Sequence, residues 1–276
     1  METDIVCGVE IEMTYNGNIL KLNKGSYHED NMEHKLSKNF NIETDGSLRV
    51  FSEKYNSTTE IVSKPFKVDE WFEVLKEFKD AIIKKSKMDL LGEVIEFNSS
   101  CGAHIHFTVL FKMDGLYNFE YKNEDYSFEG KNLFIGKFAS AKFFRELGDK
   151  IKDKVKEQMG EHFYKNWIGN YYRNFSKKVT EKNIFKKRYI EFNMNCGGGQ
   201  VEYRSFHLNG VKTWGDFFKM YRIVFETLKQ EIYNEVNKPT PFRQKLKCFY
   251  DINNCDYNEE EIVTIEMDKF QIDEVV

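Results

Sequence analysis

The sequence lacks the cysteine spacings of disulfide frameworks and zinc knuckles. Its five cysteines are odd in number, scattered, and never spaced as Cys-x-x-Cys, which argues against both kinds of site and fits a reducing compartment. No apolar run reaches the roughly 18 residues that a membrane span needs, and the chain does not open on a basic segment followed by an apolar one. We therefore expect a cytoplasmic protein with no membrane partner.

The sequence also lacks a strong net charge. With 41 basic and 45 acidic side chains, the formal net charge is -4, so no overall field attracts nucleic acid, and we expect none as a partner. The 276 residues, with 25 Phe and 15 Tyr, are enough for a large core. We expect a single domain over residues 1–255 and an acidic tail over residues 256–276.

Hydrophobic periodicity predicts strands interspersed with helices. Apolar residues that alternate with polar ones predict strands over 5–12, 58–63, 97–110, 188–193 and 200–206. Apolar residues three and four apart predict helices over 68–88, 138–155, 158–172 and 213–238. Loops are predicted over 16–43, at the Gly197–Gly199 turn, and in an insertion over 112–131 that forms a hairpin or a flap. This order favours an α+β fold with an antiparallel or mixed sheet and helices on one face.

Glu10 and Glu12 form the first of three charged pairs in the predicted strands. Residues two apart in a strand project to the same face, so the two carboxylates lie together while Val9 and Ile11 point to the core. Like charges about 4 Å apart repel by roughly 4 kcal/mol at an effective dielectric near 20, which favours a cation between them. The alternative is a solvated strand face that carries glutamates.

His104 and His106 repeat the same spacing on another strand, with Ile105 and Phe107 on the opposite face. Imidazoles are good metal ligands when neutral and good phosphate partners when charged. The alternative is a pair of histidines that form hydrogen bonds at a sheet edge.

Glu202 and Arg204 make the third pair. A functional interpretation places the glutamate on a metal and the arginine, with its planar fork of donors, on a phosphate or carboxylate. The alternative is a cross-strand or same-face ion pair, worth about 0–1 kcal/mol if it is exposed. Glu60 adds another carboxylate to this face if Thr59 and Ile61 point to the opposite side.

Three charged pairs on three strands are explained most economically by one charged face. Several carboxylates with one or two imidazoles form a hard, oxygen-rich ligand set, which suits Mg²⁺ or Mn²⁺ better than structural zinc. Such ions usually accompany nucleotide phosphates, so ATP is the predicted cofactor. We interpret Cys101 and Cys196 as structural cysteines, because nothing in their surroundings indicates a lowered thiol pKa.

Four segments in order resemble the amidoligase family of carboxylate-amine ligases, which are relatives of glutamine synthetase and glutamate-cysteine ligase. The segments are Gly8-Val9-Glu10-Ile11-Glu12, Glu60-Ile61-Val62-Ser63, Gly102-Ala103-His104-Ile105-His106-Phe107 and Val201-Glu202-Tyr203-Arg204. The resemblance implies a curved sheet of the glutamine synthetase type with the active site on its concave face. It also implies that divalent ions are held between ATP phosphates by Glu10, Glu12, Glu60, His104 and Glu202.

The resemblance implies further roles as well. His106 would contact the nucleotide phosphates, and Arg204 would stabilise the transferred phosphoryl group or bind the substrate carboxylate. Arg173, Lys187 and Arg188 are additional candidates for the phosphates. The implied reaction joins a carboxylate to an amine of an amino acid, peptide or protein side chain through an acyl phosphate. Two alternatives remain open, namely a phosphotransferase of the guanidino-kinase type and a non-catalytic peptide-binding module.

Overall fold

The computed structural model describes residues 3–23, 34–121, 124–133, 141–169, 191–193 and 200–237. Chain contacts group Glu2–Glu235 into one compact unit and assign Met1 and Val236–Val276 to a second. Only residues 236 and 237 of the second unit are described, so the predicted acidic tail lies outside the described residues. The predicted domain over residues 1–255 stays a prediction.

An antiparallel sheet forms the centre of the compact unit. Its central path runs β2-β3-β1-β6-β9-β8, with β4 and β5 also paired to β1 and β7 paired to β6. The strands are β1 (Thr3–Tyr15), β2 (Phe40–Glu43), β3 (Ser57–Ser63), β4 (Phe66–Lys67), β5 (Ile95–Glu96), β6 (Ala103–Tyr121), β7 (Glu124–Leu133), β8 (Phe192–Asn193) and β9 (Val201–Tyr203). All these pairings are antiparallel, so the sheet is of the antiparallel type and not of the mixed type that was the other prediction.

Strand register places apolar residues on one face of the sheet. Val9 of β1 lies opposite Ile105 of β6, and Ile11 of β1 lies opposite Ile61 of β3. All four are buried. Because side chains alternate along a strand, the residues between them, including Glu10, point to the other face.

The long helices cover the apolar face. The helices are α1 (Trp71–Ser86), which follows a 3₁₀ turn at Val68–Glu70, α2 (Leu91–Val94), α3 (Ala141–Met159), α4 (Glu161–Gly169) and α5 (Trp214–Asn237). Ring centroids of strand and helix residues lie 5.7 Å apart for Phe40 and Phe78 of α1, and 5.2 Å apart for Phe192 and Phe144 of α3. Phe66 of β4 likewise meets Phe225 of α5, at 6.0 Å. The α+β class with helices on one face is therefore confirmed for the described residues.

The start of α5 is capped by the side chain of Thr213. The Asp216 backbone N–H donates to Thr213 Oγ1 at 3.0 Å. This hydrogen bond satisfies one of the amide groups that a helix N-terminus leaves without a partner in the helix. Among the described residues, no helix is both long enough and apolar enough to cross a membrane.

Several predicted boundaries were wrong. The predicted loop over 16–43 contains strand β2, whose four residues are too few for alternation to reveal. The predicted strand over 97–110 starts only at Ala103, because Asn98 accepts the Ser100 and Cys101 amides in a turn. The insertion over 112–131 takes the hairpin alternative and continues β6 into β7. Within the described residues, the predicted strands over 188–193 and 200–206 shorten to β8 and β9.

Candidate metal centre

The three charged pairs lie on the polar face of the sheet in adjoining rows. Glu10 lies opposite His104 across β1 and β6, and Glu12 lies opposite Glu60 across β1 and β3. His106 lies opposite Glu202 across β6 and β9. Ile61 pairs with Ile11 on the apolar face, so Glu60 has the orientation on which its prediction depended. Register alone brings the predicted residues together.

Five of these side chains form two groups, and within each group the metal-ligating atoms lie within 4.8 Å of one another. The first group, which we call the Glu202 set, is Glu10, His104 and Glu202. The second, the Glu60 set, is Glu12, Glu60 and His104. His104 belongs to both sets. The sequence could predict the residues but not their division around one imidazole.

The two nitrogens of His104 face different carboxylates. Nδ1 lies 2.9 Å from Glu10 Oε2 and 3.4 Å from Glu202 Oε1. Nε2 lies 3.9 Å from Glu12 Oε1 and has no hydrogen-bond partner among the described residues, although it is buried. A buried ring nitrogen without a partner is costly in a folded protein unless a ligand completes it. This nitrogen can therefore accept a hydrogen bond or bind a cation.

The centre is closed on most sides and opens at one rim. Glu12, Glu60, His104 and Glu202 are buried. Glu10 and His106 keep side-chain exposures of 25% and 24%, and Glu10 Oε1 lies 3.0 Å from His106 Nε2. An exogenous group that enters from solvent therefore meets Glu10 and His106 first.

Burial sets the electrostatics of the Glu60 set. Burial raises the pKa of Glu60 well above its usual value, and the charges of Glu10, Glu12 and Asp45 raise it further. Burial also raises the pKa of Glu12, against the lowering effects of His104 and of the Gly102 amide, which donates to Glu12 Oε2 at 2.5 Å. Without a cation, burial and mutual repulsion favour protonation of a carboxylate in this set.

Glu10 behaves in the opposite way. Burial alone would raise its pKa, but the charge of His106 and hydrogen bonds from His104 and His106 together hold the pKa well below the usual value. The surroundings thus favour the ionised form of Glu10 and the protonated form of Glu60. Carboxylates of such different proton affinity side by side are typical of functional sites.

Glu202 is held by two neighbours. Asn193 Nδ2 donates to Glu202 Oε2 at 2.8 Å, and the Arg204 guanidinium pairs with Glu202 Oε1. Arg204 follows directly after β9 and is buried. The predicted Glu202 and Arg204 pair thus forms the ion pair of the alternative interpretation, and this pair is buried next to His104 rather than exposed.

Sequence reasoning missed several residues of this region. Glu43 is buried and lies opposite Glu60 in register, but the segment was interpreted as loop. His207 is buried, and its Nδ1 lies 3.0 Å from the Cys101 carbonyl oxygen. Burial first, and the charge of His104 second, lower the pKa of His207 to about 4. Asn193 carried no signal, because a lone asparagine in a two-residue strand has no pattern.

Of the other sequence candidates, only Cys101 is among the described residues. Cys101 is buried, and burial raises its pKa to about 12, which agrees with a structural cysteine rather than a nucleophile. Cys196 lies outside the described residues. So do Arg173, Lys187 and Arg188, and their proposed contacts with phosphate stay predictions.

The ligand set fits a hard divalent cation. Four carboxylates and one imidazole match the oxygen-rich preference of Mg²⁺ and Mn²⁺. In the protein without a cation, His104 Nδ1 and Glu10 Oε2 form a 2.9 Å hydrogen bond, and an ion bound by the Glu202 set would take its place. His104 Nε2, which has no hydrogen-bond partner among the described residues, offers a second nitrogen ligand on the other side of the ring.

Comparisons with protein-family models, with curated proteins and with solved structures give no match for this chain. The resemblance to amidoligases thus comes from the four segments of this sequence alone.

Proposed function

We propose that this protein is an ATP-dependent carboxylate-amine ligase that works with divalent cations. The observation that carries the proposal is the convergence of Glu10, Glu12, Glu60 and Glu202 around His104, on one face of an antiparallel sheet. A ligand set of this composition is suited to nucleotide phosphates and Mg²⁺ or Mn²⁺. The order of the four segments along the chain supports ligation over other uses of ATP, and it supports a sheet of the glutamine synthetase type.

Each member of the site has a role in this proposal. The Glu202 set and the Glu60 set would each hold one cation, with His104 as an imidazolate that has lost both ring protons and offers one nitrogen to each ion. These cations would neutralise charge on the ATP phosphates and on the transferred phosphoryl group. His106, at the open rim, contacts the phosphates. Arg204 places a fixed positive charge beside Glu202, where it stabilises the phosphoryl group in flight or orients the substrate carboxylate.

The reaction forms an amide in two steps. The substrate carboxylate attacks the γ-phosphorus of ATP, which breaks the bond to the bridging oxygen and gives an acyl phosphate and ADP. The amine then attacks the acyl carbon, phosphate leaves, and the amine nitrogen loses a proton. Burial of the ligand set excludes water, which protects the acyl phosphate from hydrolysis.

Glu202→Gln is expected to lower ADP formation by more than about 100-fold, because even outer-shell changes at metal sites cost roughly 10–100-fold. The assay supplies Mg²⁺, ATP, pools of carboxylates, and hydroxylamine, which captures an acyl phosphate as a hydroxamate. Glu226→Gln, an exposed glutamate of α5, serves as the matched control and should keep wild-type rates.

The products of this assay separate the alternatives. Hydroxamate that requires both ATP and a carboxylate supports ligation. Reversible phosphate transfer without an amide product would support the phosphotransferase of the guanidino-kinase type. Absence of any metal-dependent ATP binding by the wild-type protein would contradict the enzymatic proposal and leave the peptide-binding module.

A further inference from the structure

A second ion pair lies outside the metal centre. It joins α3 to Glu191, which precedes β8 and whose carbonyl oxygen accepts the Arg204 N–H. Lys152 Nζ lies 2.7 Å from Glu191 Oε1, and Glu191 is only 7% exposed. Burial raises the pKa of Glu191, against the lowering effect of Lys152. The positive charge of Lys152 thus stabilises the Glu191 carboxylate against the cost of its burial.

A glycine of α3 makes room for this carboxylate. A Cβ atom built on Gly148 would lie 2.6 Å from Glu191 Cδ and 2.9 Å from its Oε2. Real Cβ contacts are essentially never this short, so any other residue at position 148 would shift the Glu191 carboxylate, which lies at the end of a flexible side chain. Glycine in a helix interior lowers stability by roughly 1 kcal/mol relative to alanine. At position 148 it allows the Glu191 carboxylate to lie close to the backbone of α3.

The main chain of Glu191 and the side chain of Asn193 reach the metal centre. The Arg204 N–H donates to the Glu191 carbonyl oxygen at 2.9 Å, and Asn193 Nδ2 donates to Glu202 Oε2 at 2.8 Å. Phe192, between them, packs on Phe144 of α3. A segment of three residues therefore connects α3 to both Glu202 and Arg204.

Strands β8 and β9 are too short to fix this geometry themselves. They contain two and three residues, and short pairs at a sheet edge are marginal without packing from another layer. The helix contributes that layer through one aromatic contact and one buried ion pair.

We infer that Lys152 and Glu191 are positioning residues that hold Glu202 and Arg204 in the geometry of the cation site. Gly148 leaves the space that the Glu191 carboxylate occupies. The inference rests on the proposed function for the identity of the site, but the restraint itself concerns only residues of this chain. Lys152 touches neither Glu202 nor Arg204 and acts through Glu191.

Lys152→Met keeps the length of the side chain and removes its charge. It is expected to weaken Mn²⁺ binding by roughly 10–100-fold, the range seen for outer-shell residues, and to raise hydrogen exchange at the Arg204 amide. Lys152→Arg should restore both. Lys150→Met, which removes an exposed lysine of the same helix, should leave both unchanged.

Gly148→Ala should reproduce the effects of Lys152→Met, whereas Gly215→Ala, where a Cβ meets only ordinary contacts, should not. Circular dichroism verifies that each variant is folded. Unchanged exchange at Arg204 in folded Lys152→Met would overturn the inference whether or not cations bind. Failure of the wild-type protein to bind Mn²⁺ would instead count against the proposed function, and the exchange result would still decide the positioning role.

Discussion

Replacing Glu60 by glutamine is expected to stabilise the cation-free protein while it reduces the response to cations to that of the Glu202 set. Glutamine imitates the protonated carboxyl group, and it relieves the repulsion between Glu60 and Glu12, whose ligating atoms lie within 4.8 Å. At that separation two charges repel by roughly 3 kcal/mol at an effective dielectric near 20. We expect a gain of about 1–3 kcal/mol in the free energy of unfolding at pH 8 in EDTA.

The gain should depend on pH with a definite sign. Because the pKa of Glu60 in the folded protein is raised above its ordinary value, the folded protein binds an extra proton at pH values between the unfolded and the folded pKa. The contribution of Glu60 to stability is thus complete below the unfolded pKa and is lost as pH rises through the folded pKa. The advantage of Glu60→Gln over wild type should grow from acidic to alkaline pH.

Urea unfolding at pH 5 and pH 8, with EDTA or with Mg²⁺, measures both effects. Mg²⁺ should stabilise the wild-type protein more than Glu60→Gln, which keeps only the Glu202 set. Glu226→Gln is the control for loss of an exposed carboxylate. A Glu60→Gln protein that is less stable than wild type at both pH values, and that Mg²⁺ stabilises as much as wild type, would show that Glu60 is a structural acid.

Replacing His104 by alanine is expected to abolish both cation sites at once. His104 belongs to the Glu202 set through Nδ1 and lies next to the Glu60 set through Nε2. Loss of the ring removes a ligand from each set, so both affinities should fall by more than about 100-fold, beyond the range for outer-shell residues. By contrast, Glu202→Gln should weaken only one site and Glu12→Gln only the other.

Isothermal titration with Mn²⁺ distinguishes these patterns, because it reports the number of ions as well as their affinity. His162→Ala, in which an exposed histidine of α4 is lost, should bind like the wild-type protein. If His104→Ala kept one intact site, the two sets would not share the imidazole, and the division around His104 would be wrong.

The residues of the centre could be predicted because β-strand geometry is local. Glu10 with Glu12, His104 with His106, and Glu202 before Arg204 each reveal a common face through their spacing of two. The apolar residues between them reveal the other face. The α+β class follows from the same periodicities.

The arrangement of those residues could not be predicted, because it depends on strand order and register. That Glu10 meets His104 and His106 meets Glu202 follows from pairings between segments far apart in the chain. Burial could not be predicted either, and it is burial that separates the proton affinities of Glu10 and Glu60. Glu191 and Asn193 act through one main-chain and one side-chain hydrogen bond, and neither bond leaves a periodic signal in the sequence.

The most direct test of the cation centre is an electron paramagnetic resonance titration of free Mn²⁺ with the wild-type protein and with Glu60→Gln. Wild-type protein should remove the free Mn²⁺ signal up to two ions per chain, one for each ligand set around His104. Glu60→Gln should remove no more than one. A free Mn²⁺ signal that the wild-type protein leaves unchanged would contradict the account.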